Sequence, residues 1–370
     1  MIASTPRLII FDLDGTLAPS KSFLTEGIAD LLRRLLKEKS IAVISGASFI
    51  QFSDEFLSRL KADTSVLSRL FILPTNGAEL YTYENGNWVS KYSKKISEEQ
   101  KSKIISTLNH VLSQHIDLLP KHTVGKTIED RGNQITFSAL GQQALIKDKA
   151  LWDPNQDKRR IIRGQLYKLL PDFSISIGGM TSIDITEKGV DKAFGIREVC
   201  KTSGFDIKDS IYVGDAIYPD GNDAPALETG IAVQKVLYPS DTALFIRKLL
   251  NLEHPEKLFD KRPWGEFEEF SKNIPQTVKI IIIEEGQKLS LQYHSKRSEF
   301  WKVISGSPQL TIDAVVMDTK PGDEFWIERF SEHRMASPKG QSKILEISFG
   351  EFNEEDIIRI EDIYGRISQN

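Results

Sequence analysis

The chain has 370 residues, with 48 Lys and Arg against 52 Asp and Glu, and its net charge of −4 leaves no electropositive footprint for nucleic acid. Cys200 is the one cysteine, which excludes an internal disulfide and fits a reducing, cytoplasmic setting. No apolar run is long enough to cross a bilayer, and the opening run Leu8 to Phe11 is cut by Asp12, so no secretory signal is expected. A chain of this length is expected to hold about two or three folding units.

Ile9-Ile10-Phe11 predicts a buried strand that runs to Asp12, and Asp14-Gly15 predicts a sharp turn after it. Apolar residues at Ile28, Leu31, Leu32, Leu35 and Leu36 predict a helix over 27–39. Short strands follow at 41–44, ending in Ser45-Gly46, and at 71–73, closed by Pro74-Thr75-Asn76-Gly77. From about Leu80 to Asp184 the alternation of strand and helix gives way to another pattern. Tyr81-Thr82-Tyr83, the Asn85-Gly86 turn and Trp88-Val89 read as a hairpin opening an inserted α+β domain. A long helix over 97–115, strands near 127–129 and 134–139, a polar helix over 157–170 and a strand at 174–177 complete it. The Lys158-Arg159-Arg160 run on that polar helix reads as a solvated face. Lys188-Gly189-Val190-Asp191-Lys192 opens a helix to about Thr202, and Ile211-Tyr212-Val213 is a strand ending in Gly214-Asp215. A strand over 230–233 and a helix over 241–250 close the first unit. Beyond the polar segment 253–257 the short alternating strands, punctuated by Pro275, Gly286, Gly306, Pro321-Gly322 and Pro338, read as an all-β sandwich or barrel.

Two carboxylates two residues apart at the carboxyl end of a strand occupy the edge where open α/β sheets bind ligands. Such a pair can hold Mg²⁺ and still present an oxygen to phosphorus. A hydroxyl followed by glycine at a strand end, as at Ser45-Gly46, is a seat for phosphate. A lysine opening a helix can neutralise a bound phosphate.

The order Asp12-Leu13-Asp14-Gly15-Thr16, Ser45-Gly46, Lys192 (with Lys188 second) and Gly214-Asp215 resembles the four motifs of the haloacid dehalogenase (HAD) superfamily of phosphotransferases. The resemblance implies that Asp12 is the nucleophile and forms an aspartyl phosphate, that Asp14 is the acid/base, and that Ser45 hydrogen-bonds the phosphoryl group. It also implies that Asp12, the Asp14 backbone carbonyl and Asp215 hold Mg²⁺. Asp220, Asn222 or Asp223 would orient a metal-bound water. The insert lies between the second and third motifs, where the larger type of HAD cap is found.

Within the insert, Glu129-Asp130-Arg131-Gly132-Asn133, Ser138-Ala139-Leu140-Gly141 and Ser176-Ile177-Gly178-Gly179-Met180-Thr181-Ser182-Ile183-Asp184 resemble the eukaryotic-type phosphomannomutases. That resemblance implies that Arg131 grips the distal phosphate of a sugar and that Ser182 and Asp184 contact that end of the substrate. Lys21 stands where the family has an arginine. Gln142 and Lys149 replace two phosphate-binding arginines, and lysine binds phosphate as a point charge where arginine binds it bidentately. Lys126 and Lys147 are further positive groups in the cap.

In the C-terminal region, Gly286-x₅-Gln292-x-His294-x₄-Glu299-x₆-Gly306 has the spacing of the first cupin motif, and Gly322 with His333 that of the second. Gln292, His294, Glu299 and His333 suit Zn²⁺ or another first-row divalent ion. Arg262-Pro263-Trp264-Gly265, Leu289 to His294, Arg297-Ser298-Glu299-Phe300-Trp301 and Arg359 to Arg366 resemble the type II mannose-6-phosphate isomerase domain. Lys296 stands where many members have another histidine. Arg297 is the candidate to steady an enediolate or the phosphate, with Lys288 and Lys296 as further contacts. Glu324, Glu328 and Glu332 lie near the ligand strands, and no base is assigned among them.

The expected fold class is therefore an α/β Rossmann-like HAD core with an inserted α+β cap, followed by an all-β cupin barrel. The core is expected at 1–82 and 185–251, the cap at 83–184, a linker at 252–261 and the cupin at 262–370. The expected function is a bifunctional sugar-phosphate enzyme of mannose metabolism, a phosphomannomutase joined to a mannose-6-phosphate isomerase. The alternative is a HAD sugar phosphatase whose cupin binds metal or sugar without catalysis. Mg²⁺, a divalent cupin metal such as Zn²⁺, a hexose 1,6-bisphosphate activator, small sugar-phosphate ligands and a homodimer are the associated expectations, with neither nucleic acid nor membrane as a partner.

Overall fold

The computed structural model describes residues 6–19, 22–250, 252, 258–262, 265–313, 315–350 and 352–366. Lys21, the polar segment 253–257 and Pro263-Trp264, all singled out above, lie outside the described residues. The chain divides into two compact units, one made of residues 1–24 and 32–242, the other of residues 25–31 and 243–370. No helix among the described residues is long and apolar enough to cross a membrane.

The first unit is built on a seven-stranded sheet. Its order is Ala232–Lys235, Ser210–Gly214, Leu8–Asp12, Ser40–Ile44, Leu70–Leu73, Glu79–Glu84 and Asn87–Ser93. The first five strands are parallel and the last two antiparallel. Leu8 to Asp12 is buried along its whole length, because a central parallel strand has both faces covered. Its two neighbours are Ser210–Gly214 and Ser40–Ile44, so the strand ends carrying Asp12, Ser45 and Asp215 come side by side.

The hairpin expected to open the inserted domain extends the core sheet instead. Leu80 is fully buried in the core cluster with Leu8, Ile44 and Tyr212, and Tyr92 packs against that cluster. The Tyr92 hydroxyl also donates to the Gly77 carbonyl at 2.7 Å. Hairpin-plus-helix composition marks a change of pattern, but only strand pairing decides which sheet a hairpin joins.

The insert proper is a four-stranded antiparallel sheet in the order Ile128–Asp130, Gln134–Ser138, Ser182–Glu187 and Phe173–Gly178. One face packs on the helices Glu98–Gln114 and Asp157–Leu169 through Ile104, Leu108, Val111, Ile162 and Leu166. The first helix starts where Ser97 and Gln100 form a reciprocal capping box. Arg159 departs from the solvated face expected for its run. It is 2 % exposed, its Nε donates to Asp153 Oδ2 at 2.9 Å, and its Nη1 donates to the carbonyls of Gly178 (3.2 Å) and Gly179 (2.7 Å). The period of the helix turns this side chain inward while Arg160 stays exposed.

The second unit holds a two-stranded antiparallel ribbon, Leu258–Arg262 with Gly265–Glu269, and two larger antiparallel sheets. One is ordered Gln276–Ile283, Ser342–Gly350, Arg297–Ser305, Glu324–Ile327. The other is Val315–Asp318, Gln309–Ile312, His333–Ala336, Leu291–His294, Ile357–Glu361. They close on one core, in which Ile283, Trp301, Ile327 and Ile344 of the first sheet meet Leu310, Ile312 and Met335 of the second. The two larger sheets thus form a double-sheet β-barrel, as the short alternating strands predict.

Candidate active sites

In the first unit the strand Leu8–Asp12 delivers Asp12 to the sheet edge with 2 % of its surface exposed. Lys192 is the first residue of the helix Lys192–Ser203, whose N-cap is Asp191, and it is 1 % exposed. Its Nζ donates to Asp12 Oδ1 and to Asp223 Oδ1, each at 2.5 Å. Of the two lysines named from the sequence, Lys192 enters the cluster and Lys188 is exposed. Asp223 is fully buried and also accepts from the Tyr212 hydroxyl at 2.5 Å and the Ala216 amide at 2.9 Å.

Carboxylate oxygens of Asp12, Asp215 and Asp223 lie within 4.8 Å of one another. Burial pushes the Asp12 carboxyl well up, Lys192 opposes that, and the charges of Asp223, Asp215 and Asp14 add to it. Burial and the Asp223 charge push Asp215 up to about 6 against Lys192. Asp12 Oδ2 is buried without a hydrogen-bond partner. Crowded acids with an orphaned oxygen and one lysine between them fit a hard divalent cation. The acidic cluster is thus Asp12, Asp215 and Asp223. Asp14 lies alongside it, with the Ser45 hydroxyl donating to Asp14 Oδ2 at 3.3 Å. Of the three residues named for orienting water, Asp220 is exposed and paired with Arg163 at 2.7 Å, and Asp223 belongs to the cluster. Gly15 has φ +87°, and a Cβ there would fall 2.6 Å from Asp215 Oδ2, so glycine lets the two loops approach.

The cap residues meet the second-motif loop through a buried polar network. Arg131 donates to the Gly46 carbonyl, and its Nε donates to Glu129 Oε2 at 2.8 Å. Gln134 Nε2 donates to the same Gly46 carbonyl at 3.1 Å. Asn76, held in the left-handed region at φ 56°, donates to Gln134 Oε1 (2.9 Å) and Asp184 Oδ2 (3.2 Å). The Thr136 hydroxyl donates to Asp184 Oδ1 at 2.9 Å. Ser182 is buried on the same strand as Asp184, paired with Ser138 and Gly178. Lys149 is 3 % exposed and donates to the Gln142 carbonyl at 2.8 Å. In the sequence Asn76 reads only as part of a turn, and Gln134 and Thr136 are given no role in the site. Polar residues at alternate positions of a fully buried strand were the available signal, and it cannot be read without knowing the burial.

In the second unit His294, Glu299 and His333 bring a ring nitrogen, a carboxylate oxygen and a ring nitrogen within 4.8 Å of one another. Each is at most 1 % exposed. His333 Nδ1 donates to the Ser331 carbonyl at 2.8 Å, which leaves its Nε2 as a lone pair without a partner, 3.6 Å from Glu299 Oε2. Burial holds His333 down at about 4, so the ring is neutral at neutral pH. A buried nitrogen lone pair aimed at a carboxylate fits a metal ion between them. Gln292 pairs with His333 across neighbouring strands and accepts from the Ser290 hydroxyl at 2.7 Å. Arg297 donates through Nε to Glu299 Oε1 at 2.8 Å and through Nη2 to His294 Nε2 at 3.0 Å. Lys296 is exposed and Lys288 half-buried. Glu324 is paired with Lys302 at 3.1 Å and Glu328 with Arg247 at 2.7 Å.

A parallel sheet with carboxylates converging at its strand ends and a lysine between them defines, in the first unit, a phosphohydrolase-type α/β protein. The family model for haloacid dehalogenase-like hydrolases matches residues 9–233, more than half of the chain, and the chain belongs to that family. The model described as mannose-6-phosphate isomerase C-terminal matches residues 252–362.

Among similar proteins, a phosphomannomutase of Dendrobium officinale is 26% identical over 253 residues, covering 66% of this chain and 94% of that protein. The alginate biosynthesis protein AlgA of Pseudomonas aeruginosa is 37% identical over 110 residues, 29% of this chain. The chain spans only 23% of AlgA's length. The IMP-bound, N-terminally truncated IMP-nucleotidase of Plasmodium falciparum superposes with a TM-score of 0.53 at 16% identity, covering 68% of this chain and 69% of that one, which is a likeness of fold.

Proposed function

We propose that the protein is a bifunctional enzyme of mannose metabolism. Its first unit interconverts mannose 6-phosphate and mannose 1-phosphate, and its second interconverts fructose 6-phosphate and mannose 6-phosphate. The observation that carries the first activity is the Lys192 bridge between Asp12 and Asp223 beside Asp215. In this reading an Asp12 oxygen attacks phosphorus as the bond from phosphorus to the sugar oxygen breaks. Asp14 gives its proton to the departing oxygen and then takes one from the incoming hydroxyl. Ser45 and Lys192 hold the phosphoryl oxygens. Arg131, Ser182, Asp184 and Lys149 belong to the cap side of the sugar-phosphate site. Mg²⁺ bound among Asp12, Asp215, Asp223 and the Asp14 carbonyl would neutralise charge on the transferring group. A hexose 1,6-bisphosphate would prime the cycle.

In the second unit His294, Glu299 and His333, with Gln292 beside them, would hold a divalent ion such as Zn²⁺, which polarises sugar oxygens when bound. Arg297 would steady the negative charge that develops on the substrate.

A second reading makes the first unit a sugar phosphatase. Gln142 favours it, because this position lacks the guanidinium of the phosphomannomutase pattern, and Lys149 spends a donor on the Gln142 carbonyl. Incubation with Mg²⁺ and mannose 1-phosphate, with and without glucose 1,6-bisphosphate, separates the two. Bisphosphate-dependent mannose 6-phosphate without free phosphate supports the mutase. Steady phosphate release supports the phosphatase.

A further inference from the structure

Interconversion of an aldose and a ketose phosphate needs a group that carries a proton between C2 and C1. Three acids lie near the ligand strands in sequence, and Glu332, next to His333, falls on the opposite face by strand alternation. Glu324 is the register partner of Lys302 and is engaged with it, on the face opposite Glu299. Glu328 is engaged with Arg247.

The strand Ser342–Gly350 supplies another carboxylate. Its side chains alternate, with Ile347 and Phe349 packing against Phe300 and Trp326 on one face. Ile344 packs against Trp301 and Met335 inside the barrel. Glu346 shares the face of Ile344 and is 6 % exposed. Its register partners are Trp301 on one side and Lys279 on the other. Ser348, two residues on, is the partner of Glu299. Glu346 is thus the diagonal neighbour of Glu299 on the interior face, a spacing of about 7–8 Å between Cα atoms. The Glu346 carboxylate thus projects from the same interior face as Glu299, one diagonal step from the His294/Glu299/His333 cluster.

The surroundings of Glu346 suit proton transfer better than structural pairing. The Ser348 hydroxyl donates to its Oε1 at 3.4 Å, and Lys279 Nζ lies 4.0 Å away, beyond hydrogen-bond reach. Below it the barrel is apolar, lined by Ile281, Ile283, Leu289, Trp301, Met335 and Ile344. Burial first, and the Glu299 charge second, push the carboxyl up to about 7 against Lys279 and Arg297.

We propose that Glu346 is the general base of the second unit, moving a proton between C2 and C1 of an open-chain hexose 6-phosphate. This rests on the isomerase reading given above. Glu346 takes the proton from C2, and the electron pair of that C–H bond forms the C1–C2 double bond as negative charge passes to the oxygen on C1. The same carboxyl returns the proton to C1, and the hydroxyl proton on C2 passes to the oxygen on C1. The sugar is isomerised with no net gain or loss of protons.

The test uses the full chain loaded with Zn²⁺, comparing wild type, Glu346→Gln and Glu346→Asp. The readouts are isomerisation of mannose 6-phosphate, deuterium uptake from D₂O at its C2, bound metal per chain and melting temperature. The expected result is a loss of about 10²-fold or more in both isomerisation and exchange for Glu346→Gln. Its metal content should match wild type, and Glu346→Asp should recover part of both rates. A Glu346→Gln rate within about threefold of wild type overturns the proposal. So does a loss that follows lost metal or lost folding in both variants, since the residue is then structural. A metal-loaded wild type that neither isomerises nor exchanges overturns the isomerase reading itself.

Discussion

Lys192 Nζ lies 2.5 Å from an Asp12 oxygen and 2.5 Å from an Asp223 oxygen, joining the acid that ends the strand Leu8–Asp12 and one in the loop after Ser210–Gly214 to one cation. All three side chains are at most 3 % exposed, so each charge depends on the others for compensation. Burial opposes the charge on Lys192, and the two carboxylates outweigh it and keep the lysine protonated. Replacing Lys192 by Met removes that compensation. We expect a loss of about 3–5 kcal/mol in metal-free stability, with phosphoryl transfer abolished. Thermal melts with and without Mg²⁺ check this, and added Mg²⁺ should recover part of the lost stability. An unchanged melting temperature in chelator would contradict it.

Asp215 gives a pH dependence whose sign is fixed by its environment. Burial and Asp223 raise its folded value to about 6, above the ordinary carboxylate value. Between those values the folded chain holds a proton that the unfolded chain has released. This group's contribution to metal-free stability therefore falls as pH rises through the window. The wild type should lose stability relative to Asp215→Asn from about pH 4 to about pH 6.5, by on the order of 1–3 kcal/mol. Urea unfolding of both proteins in chelator measures the difference. A difference that is flat with pH would refute the assignment.

Arg159 and Asp153 form a buried pair that also fastens the Gly178 and Gly179 carbonyls. Arg159→Met leaves Asp153 buried with its charge uncompensated and should cost about 3–5 kcal/mol. A double-mutant cycle with Asp153→Asn should show the double variant less destabilised than the sum of the singles. Additive losses would mean that the two side chains act independently.

The two centres should fail separately. His333→Ala removes a ring whose Nε2 is a buried lone pair facing Glu299, so the second unit should lose its bound metal and its isomerase activity. Phosphoryl transfer should stay within about twofold, since substitutions that share no partners usually act independently. Asp12→Asn should do the reverse. Metal analysis beside the two activity assays reads both, and a variant that removed both activities equally would sink the two-site model.

Much of this protein can be read from local pattern, because apolar runs and turn residues act over a few neighbours. The run up to Asp12 is legible as a buried strand ending in an acid, and the segment Lys188 to Lys192 as the opening of a helix. Cupin spacing likewise singles out His294, Glu299 and His333, which do converge. What chain order cannot express is which strands pair and which way a side chain turns. Strand pairing put the hairpin Glu79–Glu84 and Asn87–Ser93 in the core sheet. It also set Glu346 diagonal to Glu299, and helix rotation buried Arg159 inside a run of charges. Asp223 was one of three acids and amides in a loop until folding carried it to Lys192 and Tyr212. Burial and long-range register decide such placements, and both are properties of the packed chain, where residues far apart in sequence compete for the same dry space.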